Sequence, residues 1–182
     1  MSTHTETTLS SETLYSGRII RLRRDQVRLE NGRTTTREVV EHNGGIAVAA
    51  LTDRDELLMV RQLRYPYGKE LLEIPAGKRE GNEDTLLGGQ RELREETGAV
   101  GRDYQFLGEI YPTPGYCAEI IWLYACRVDT IGENAPDPDE FLDVARIPLD
   151  EAEQMVLRGE IPDAKTQIAV LKVAALHRRG QL

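Results

Sequence analysis

Residues 90–99 read QRELREETGA and place Glu92, Glu95 and Glu96 within five positions. On a helix, residues three and four apart share a face, with Cβ atoms about 5–6 Å apart, so Glu92 neighbours both of the others. Like charges at that spacing cost a helix roughly 0.2–0.5 kcal/mol per pair. Two readings fit: a solvated acidic face, or a helix whose missing counter-charge is a cation. Mg²⁺ is commonly held by one or two carboxylates together with substrate phosphates. The helix is expected from Glu83 to Thr97, with Asn82 as N-cap and Gly98 just past its end. Gly88 and Gly89 sit inside it, each costing about 1 kcal/mol relative to alanine. Either the helix is weak or something packs closely against its backbone.

The remainder of the chain sets bounds on the partners of this helix. A length of 182 residues suits one domain with a sizeable core. A net charge of −8 argues against a general grip on nucleic acid. It leaves room for an anionic small molecule, because a bound metal and local arginines reverse the field at one site. No apolar run approaches the roughly 18 residues of a membrane helix. The opening MSTHTETTLSSE lacks the basic-then-apolar pattern of a secretory signal. Cys117 and Cys126 lie in or beside one expected strand without metal-ligand spacing, and read as reduced packing residues of a cytoplasmic protein.

Residues 1–11 are polar and are expected to be a disordered tail. In IIRLRRDQVRLENGRTTTREVV, two β-prone runs flank Asn31-Gly32, a two-residue hairpin signal. GGIAVAALTDRDELLMVRQLR repeats the pattern around a turn at Thr52–Glu56, and ELLEIPAGK is a short strand ended by Pro75 and Gly77. Strands are expected near 104–111 and 119–128, an acidic, proline-containing loop over 129–140, and helices near 150–158 and 163–178. Hairpins and mixed strands before helices point to an α+β sandwich rather than to alternating βαβ units. The divisions are a tail at 1–11, an N-terminal β-hairpin region at 12–42 and a main domain at 43–182.

Extended upstream, the acidic helix belongs to GKREGNEDTLLGGQRELREETGA, residues 77–99. Gly77 is followed by five residues and Glu83, then seven and Arg91-Glu92-Leu93, then Glu95-Glu96 and Gly98 at single-residue spacings. This resembles the box of the Nudix hydrolases, G-x5-E-x7-R-E-U-x-E-E-x-G-U, where U is a bulky aliphatic residue. All the fixed residues are present, and only the last position departs, with Ala99 smaller than usual. The resemblance implies a Nudix-type α/β/α sandwich with a mixed sheet. It implies that Glu92, Glu95, Glu96 and the carbonyl of Ala76 hold Mg²⁺, with Mn²⁺ or another divalent cation able to substitute. It implies further that Arg91 orients the acidic residues and that Glu83 supports them from behind.

Outside the box, Pro114 falls sixteen residues after Gly98, in TPGYCAE. This resembles the S-P-G-x-x-x-E loop of the ADP-ribose pyrophosphatase subfamily, and similarity to that subfamily runs over roughly residues 14–175. The resemblance implies hydrolysis of ADP-ribose to AMP and ribose 5-phosphate by a homodimer whose N-terminal region completes the nucleotide pocket. Another nucleoside diphosphate sugar such as GDP-mannose, or a non-catalytic nucleotide-binding role, is the alternative. Arg64 and Glu73 match substrate-contacting positions, as do Pro114 and Gly115, while Arg37 and Glu38 are weaker matches. A guanidinium fork suits a diphosphate. Tyr65, Tyr67 and Tyr116 read as core-edge residues that could also stack on adenine. Glu140, in DPDEFLDV, matches the general base of the subfamily, with Glu133 the fallback and Glu95 the next residue to test. Lys165 and Thr166 recur in the resemblance without a role that their chemistry assigns.

Overall fold

The computed structural model describes residues 4–136 and 141–182. The chain divides into two compact units, one of Met1–Asn43 with Tyr111–Ile120, the other of Gly44–Ile110 with Ile121–Leu182.

The first unit is a three-stranded antiparallel sheet of β1 (Thr7–Ser16), β2 (Arg21–Arg28) and β3 (Thr34–Glu41), in that order. The expectation of a disordered tail over residues 1–11 fails from Thr7 onward. All ten residues of β1 are exposed, so the strand is held by its ladder to β2 and leaves no burial pattern in the sequence. The turn after β2 also differs from the two-residue form. Leu29 accepts from the Gly32 amide at 2.9 Å and its own amide donates to Arg33 at 2.8 Å, so Glu30, Asn31 and Gly32 form a three-residue loop. Only Gly32 has positive φ, at 81°. A two-residue type I′ turn needs positive φ at both central residues, whereas three-residue loops place one residue in the left-handed region.

The second unit is built on a seven-stranded mixed sheet. Its main path runs β10 (Leu142–Pro148), β5 (Glu56–Arg64), β4 (Gly45–Leu51), β9 (Ile121–Ile131) and β8 (Ala99–Ile110). Strand β6 (Lys69–Glu73) pairs with β5, and β7 (Ala76–Lys78) pairs with β4. The expected β4–β5 hairpin narrows to one paired position, Leu51 with Leu57. Strand β4 instead runs parallel to β9 along its whole length. Its sequence GIAVAAL is apolar throughout, as a strand covered on both faces requires.

The two faces of β4 carry the two halves of the core. Ala47, Ala49 and Leu51 join Leu149, Ala152 and Val156 of α2 (Leu149–Leu157) and Ala169, Val170 and Val173 of α3 (Ala164–His177). Ile46, Val48 and Ala50 join Leu93 of α1 (Thr85–Thr97), with Tyr124 and Cys126 of β9. The result is a mixed sheet between helices, the α/β/α arrangement that the sequence implies.

Helix α1 starts two residues later than expected. Asp84, not Asn82, caps it, accepting from the amides of Leu86 at 2.9 Å and Leu87 at 3.1 Å. At the other end Gly98 has φ of 70°, and a Cβ there would collide with the carbonyl of Gly132. The loop after β9 backs onto this helix end, through Gly132 N to Gly98 O and Ala135 N to Glu95 O, both 2.8 Å. Gly88 and Gly89 are explained by close packing. A Cβ on Gly88 would press into Ile46 Cδ1 and stand 2.7 Å from a Glu83 carboxylate oxygen, and one on Gly89 would stand 3.0 Å from Val48 Cγ2.

Gly88→Ala therefore sets two effects against each other. Alanine gains about 1 kcal/mol in helix propensity, while overpacking a filled core costs about 1–3 kcal/mol. Chemical denaturation is expected to show a net loss of stability. A net gain would mean that Ile46 and Glu83 yield freely.

Candidate active site

The acidic residues of α1 do not form a solvated face. Glu92 is 7% exposed and Glu96 is 1% exposed, on the same side of the helix as Gly88, Gly89 and Leu93. Arg91 gathers the cluster. Its Nε and Nη2 donate to the two oxygens of Glu83 at 3.1 Å each, and its Nη1 donates to Glu92 and to Glu95 at 2.8 Å each. Glu96 accepts from the amide of Ala76 at 3.0 Å. Gly77, beside it, has no room for a side chain, because a Cβ would overlap the Glu92 carboxylate. The strand β7 and the helix α1 thus meet across a glycine that lets carboxylates lie against backbone.

These contacts favour the charged form of both Glu83 and Arg91. Hydrogen bonding from Arg91 holds Glu83 below the usual carboxylate range, and the same bond to Glu83 pushes the Arg91 guanidinium further up. Among the described residues, no three carboxylate, imidazole or thiolate groups converge at metal-binding spacing. The guanidinium of Arg91 supplies the counter-charge to Glu92 and Glu95 instead. The donor chemistry nonetheless suits a hard divalent cation, since the set offers carboxylate oxygens beside a backbone turn.

A second constellation lies at β5 and β6. Arg64 donates through Nε and Nη2 to both oxygens of Glu73, at 2.7 and 2.6 Å. Glu73 is 1% exposed and also takes the ammonium of Lys165. Burial pushes the Glu73 carboxyl up, but the Arg64 hydrogen bonds and the Lys165 charge outweigh it and hold the group below its ordinary value. Asp163, which the sequence analysis did not single out, caps α3 and stands 3.0 Å from Lys165. Its signal was the spacing Asp163-x-x-Thr166 ahead of an apolar run, an N-cap pattern.

Arg37, Glu38, Pro114 and Gly115 belong to the first unit. Arg37 forks onto Glu6, at 3.0 and 2.6 Å. Glu38 lies opposite Arg24 on β2. Pro114 and Gly115 form a turn closed by Cys117 N to Thr113 O at 3.0 Å, and the segment then bonds to β3 through Val40. Glu119 pairs with His42 at 3.3 Å. Glu140 lies outside the described residues. Glu133 lies in the loop that backs onto the end of α1. The core-edge reading of the tyrosines fails: Tyr65 is 90% exposed, Tyr67 is 73% exposed, and Tyr116 is exposed as well. The short 3₁₀ turn Tyr65–Tyr67 projects them, because Pro66 and the left-handed Gly68 break β5 from β6. Cys126 is fully buried, which pushes its thiol up to about 12 and leaves it unreactive. Among the described residues, no helix is long and apolar enough to cross a membrane.

Comparison with known proteins agrees with this geometry. A family model described as the NUDIX domain matches residues 42–168, and one described as the nucleoside diphosphate sugar hydrolase N-terminal domain matches residues 6–40. A methanol dehydrogenase activator of Bacillus methanolicus is 43% identical over 91% of this chain and 90% of its own length. An ADP-ribose pyrophosphatase of Bacillus subtilis is 36% identical over 91% of this chain and 90% of its own. One of Mycobacterium tuberculosis is 40% identical over 97% of this chain and 86% of its own. A solved structure described as an ADP compounds hydrolase shares the fold, with a TM-score of 0.85 over 100% of both chains at 21% identity.

The buried Glu73 pairings carry a pH dependence. Because the folded carboxyl titrates below its ordinary value near 4.5, its stabilisation is present above that pH and is lost as pH falls through the folded value. Glu73→Gln leaves Arg64 and Lys165 without their shared anion. It is expected to destabilise the fold at pH 7 by up to about 3 kcal/mol, allowing for solvent at the part-exposed Arg64. Thermal melts should show the gap from the wild type closing as pH drops below 4.5. A gap that holds constant with pH would remove the charge from the explanation.

Proposed function

Because the chain belongs to the Nudix family, we propose that it hydrolyses the diphosphate of ADP-ribose to AMP and ribose 5-phosphate. The observation that carries this is the constellation on α1, in which Glu83, Glu92 and Glu95 converge on one arginine while Glu96 is buried against Ala76. The relatives named ADP-ribose pyrophosphatase, at 36% and 40% identity over nearly the whole chain, support the substrate. The chain would work on a small-molecule substrate as a cytoplasmic homodimer, with Arg37, Glu38, Pro114 and Gly115 contributing to nucleotide recognition.

In the reaction, water adds to one phosphorus as the bridging P–O bond breaks, and a base takes the water's proton. Mg²⁺, or Mn²⁺ in its place, would be held by Glu92, Glu95, Glu96 and the carbonyl of Ala76, and when bound it neutralises phosphoryl charge and acidifies water. Arg91 orients the carboxylates of Glu92 and Glu95. Arg64, fixed by Glu73, presents a guanidinium to the diphosphate or the base. Glu140 accepts the proton.

A second reading has one specific support. A relative at 43% identity is named an activator of methanol dehydrogenase. A regulatory protein of that kind need not turn over substrate, so a panel of ADP-ribose, GDP-mannose and related compounds, read by the phosphomonoesters formed, separates the readings. ADP-ribose is expected to be cleaved, chelator to abolish the cleavage, and Mg²⁺ or Mn²⁺ to restore it. Glu96→Gln should lower kcat by more than the roughly 10–100-fold that loss of an outer-shell partner costs. Full activity in excess chelator would remove the metal from the mechanism.

The base has its own test. Glu140→Gln is expected to cut kcat by about 10²–10⁴-fold with little change in KM, and to erase the acidic limb of the pH profile. Glu133→Gln should do much less. The reverse order would move the role to Glu133, and near-normal rates for both would move it to Glu95.

A further inference from the structure

We propose that Lys165 is a positioning residue that keeps Arg64 able to attract an anionic substrate, acting through the carboxylate the two cations share. The inference rests on the reading of Arg64 as a substrate contact.

Lys165 is in a place that lysine ordinarily avoids. It lies in the first turn of α3, where the helix dipole disfavours a cation. Its side chain is only 10% exposed. A lysine held against both costs needs compensating anions, and two are present. The ammonium bonds to Glu73 and stands 3.0 Å from Asp163. Packing alone does not call for this arrangement, because well-packed apolar residues commonly replace buried ion pairs at no cost.

The charge distribution gives the arrangement a consequence. Arg64, Lys165, Glu73 and Asp163 are two cations and two anions, so the group is neutral overall. Arg64 spends its fork on both oxygens of Glu73. With Lys165 drawing on the same carboxylate, the anion is shared, and the guanidinium keeps part of its field for a diphosphate. Without Lys165, one anion in excess stands beside the part-exposed Arg64, with the Glu73 carboxylate itself out of water, and attraction for an anionic substrate falls.

The same turn of α3 grips the backbone. Thr166 is fully buried; its hydroxyl donates to Asp163 at 2.6 Å and accepts from the amide of Ile74 at 3.0 Å. Ile74 follows Glu73 directly and precedes Pro75 and Ala76, whose amide meets Glu96. Lys165 thus fixes the carboxylate of Glu73 while its neighbour fixes the next peptide, and Arg64 is placed from both.

The test compares wild type, K165M, K165R, R64M and the double variant R64M/K165M. Calorimetry with ADP reads affinity independently of turnover, and kcat and KM for ADP-ribose are read alongside. K165M is expected to weaken ADP binding and raise KM about tenfold, with kcat within about threefold of wild type. K165R should restore affinity to within about threefold. Adding K165M to R64M should cost nothing further. Unchanged ADP affinity in K165M, or an equal loss in the R64M background, overturns the inference. If K165M does not melt cooperatively, K165Q replaces it, and failure of both makes Lys165 purely structural and overturns it too. A wild type that binds ADP but does not cleave ADP-ribose defeats the substrate assignment, and the ADP comparison still decides the role of Lys165. A wild type that does not bind ADP overturns both.

Discussion

The guanidinium of Arg91 is the interaction around which the catalytic half of the molecule is arranged. Glu83 lies ahead of the α1 N-cap, while Glu92 and Glu95 lie on α1 itself. One planar fork reaches all three. Lysine could not do the same, since its point charge has no fixed geometry for three carboxylates. The pairing with Glu83 also accounts for where the helix begins. With its side chain committed to Arg91, Glu83 stays outside the first turn, and Asp84 takes the capping role.

The two constellations sit on one sheet. Strand β4 pairs with β7, which carries Ala76 and Gly77 toward α1. Strand β5 pairs with β6, which carries Glu73 toward Arg64 and α3. Between β6 and β7 lie only Ile74 and Pro75. The carbonyl of Pro75 accepts from Val48 at 2.9 Å, and Thr166 holds the Ile74 amide, so this short link is tied to the central strand and to α3. The two constellations are therefore joined through two residues of backbone.

What the sequence made legible follows from how local each signal was. The box was readable because its spacing reflects one helix and the strand before it. Helices α2 and α3 were expected within a residue of their observed limits and β9 within three, whereas β8 begins five residues ahead of the expected 104. Strand β1 was not legible, because all its residues are exposed and only its ladder to β2 holds it. The pairing of β4 with β9 was hidden as well, since sixty-nine residues lie between them and parallel partners leave no turn between them. Gly88 and Gly89 posed a question in the sequence that only Ile46 and Val48 could answer. Lys165 stayed without a role for a similar reason: its partner Glu73 is ninety-two residues away.

Charge counting at α1 limits what the chain can do unaided. Glu83, Glu92, Glu95 and Glu96 bring four negative charges and Arg91, bonded among them, one positive; Arg94 on α1 and Arg79, whose charge also acts on Glu83, offset part of the remaining three. A diphosphate ester adds about two more, and like charges in a partly buried site repel far more strongly than in water. Arg64 offsets only part of this, because the group it forms with Glu73, Lys165 and Asp163 carries no net positive charge. The side chains can hold a polyanion here only if further positive charge joins them. That excess of negative charge is concentrated on the carboxylates around α1. It makes a divalent cation the natural complement of the substrate rather than an accessory to it.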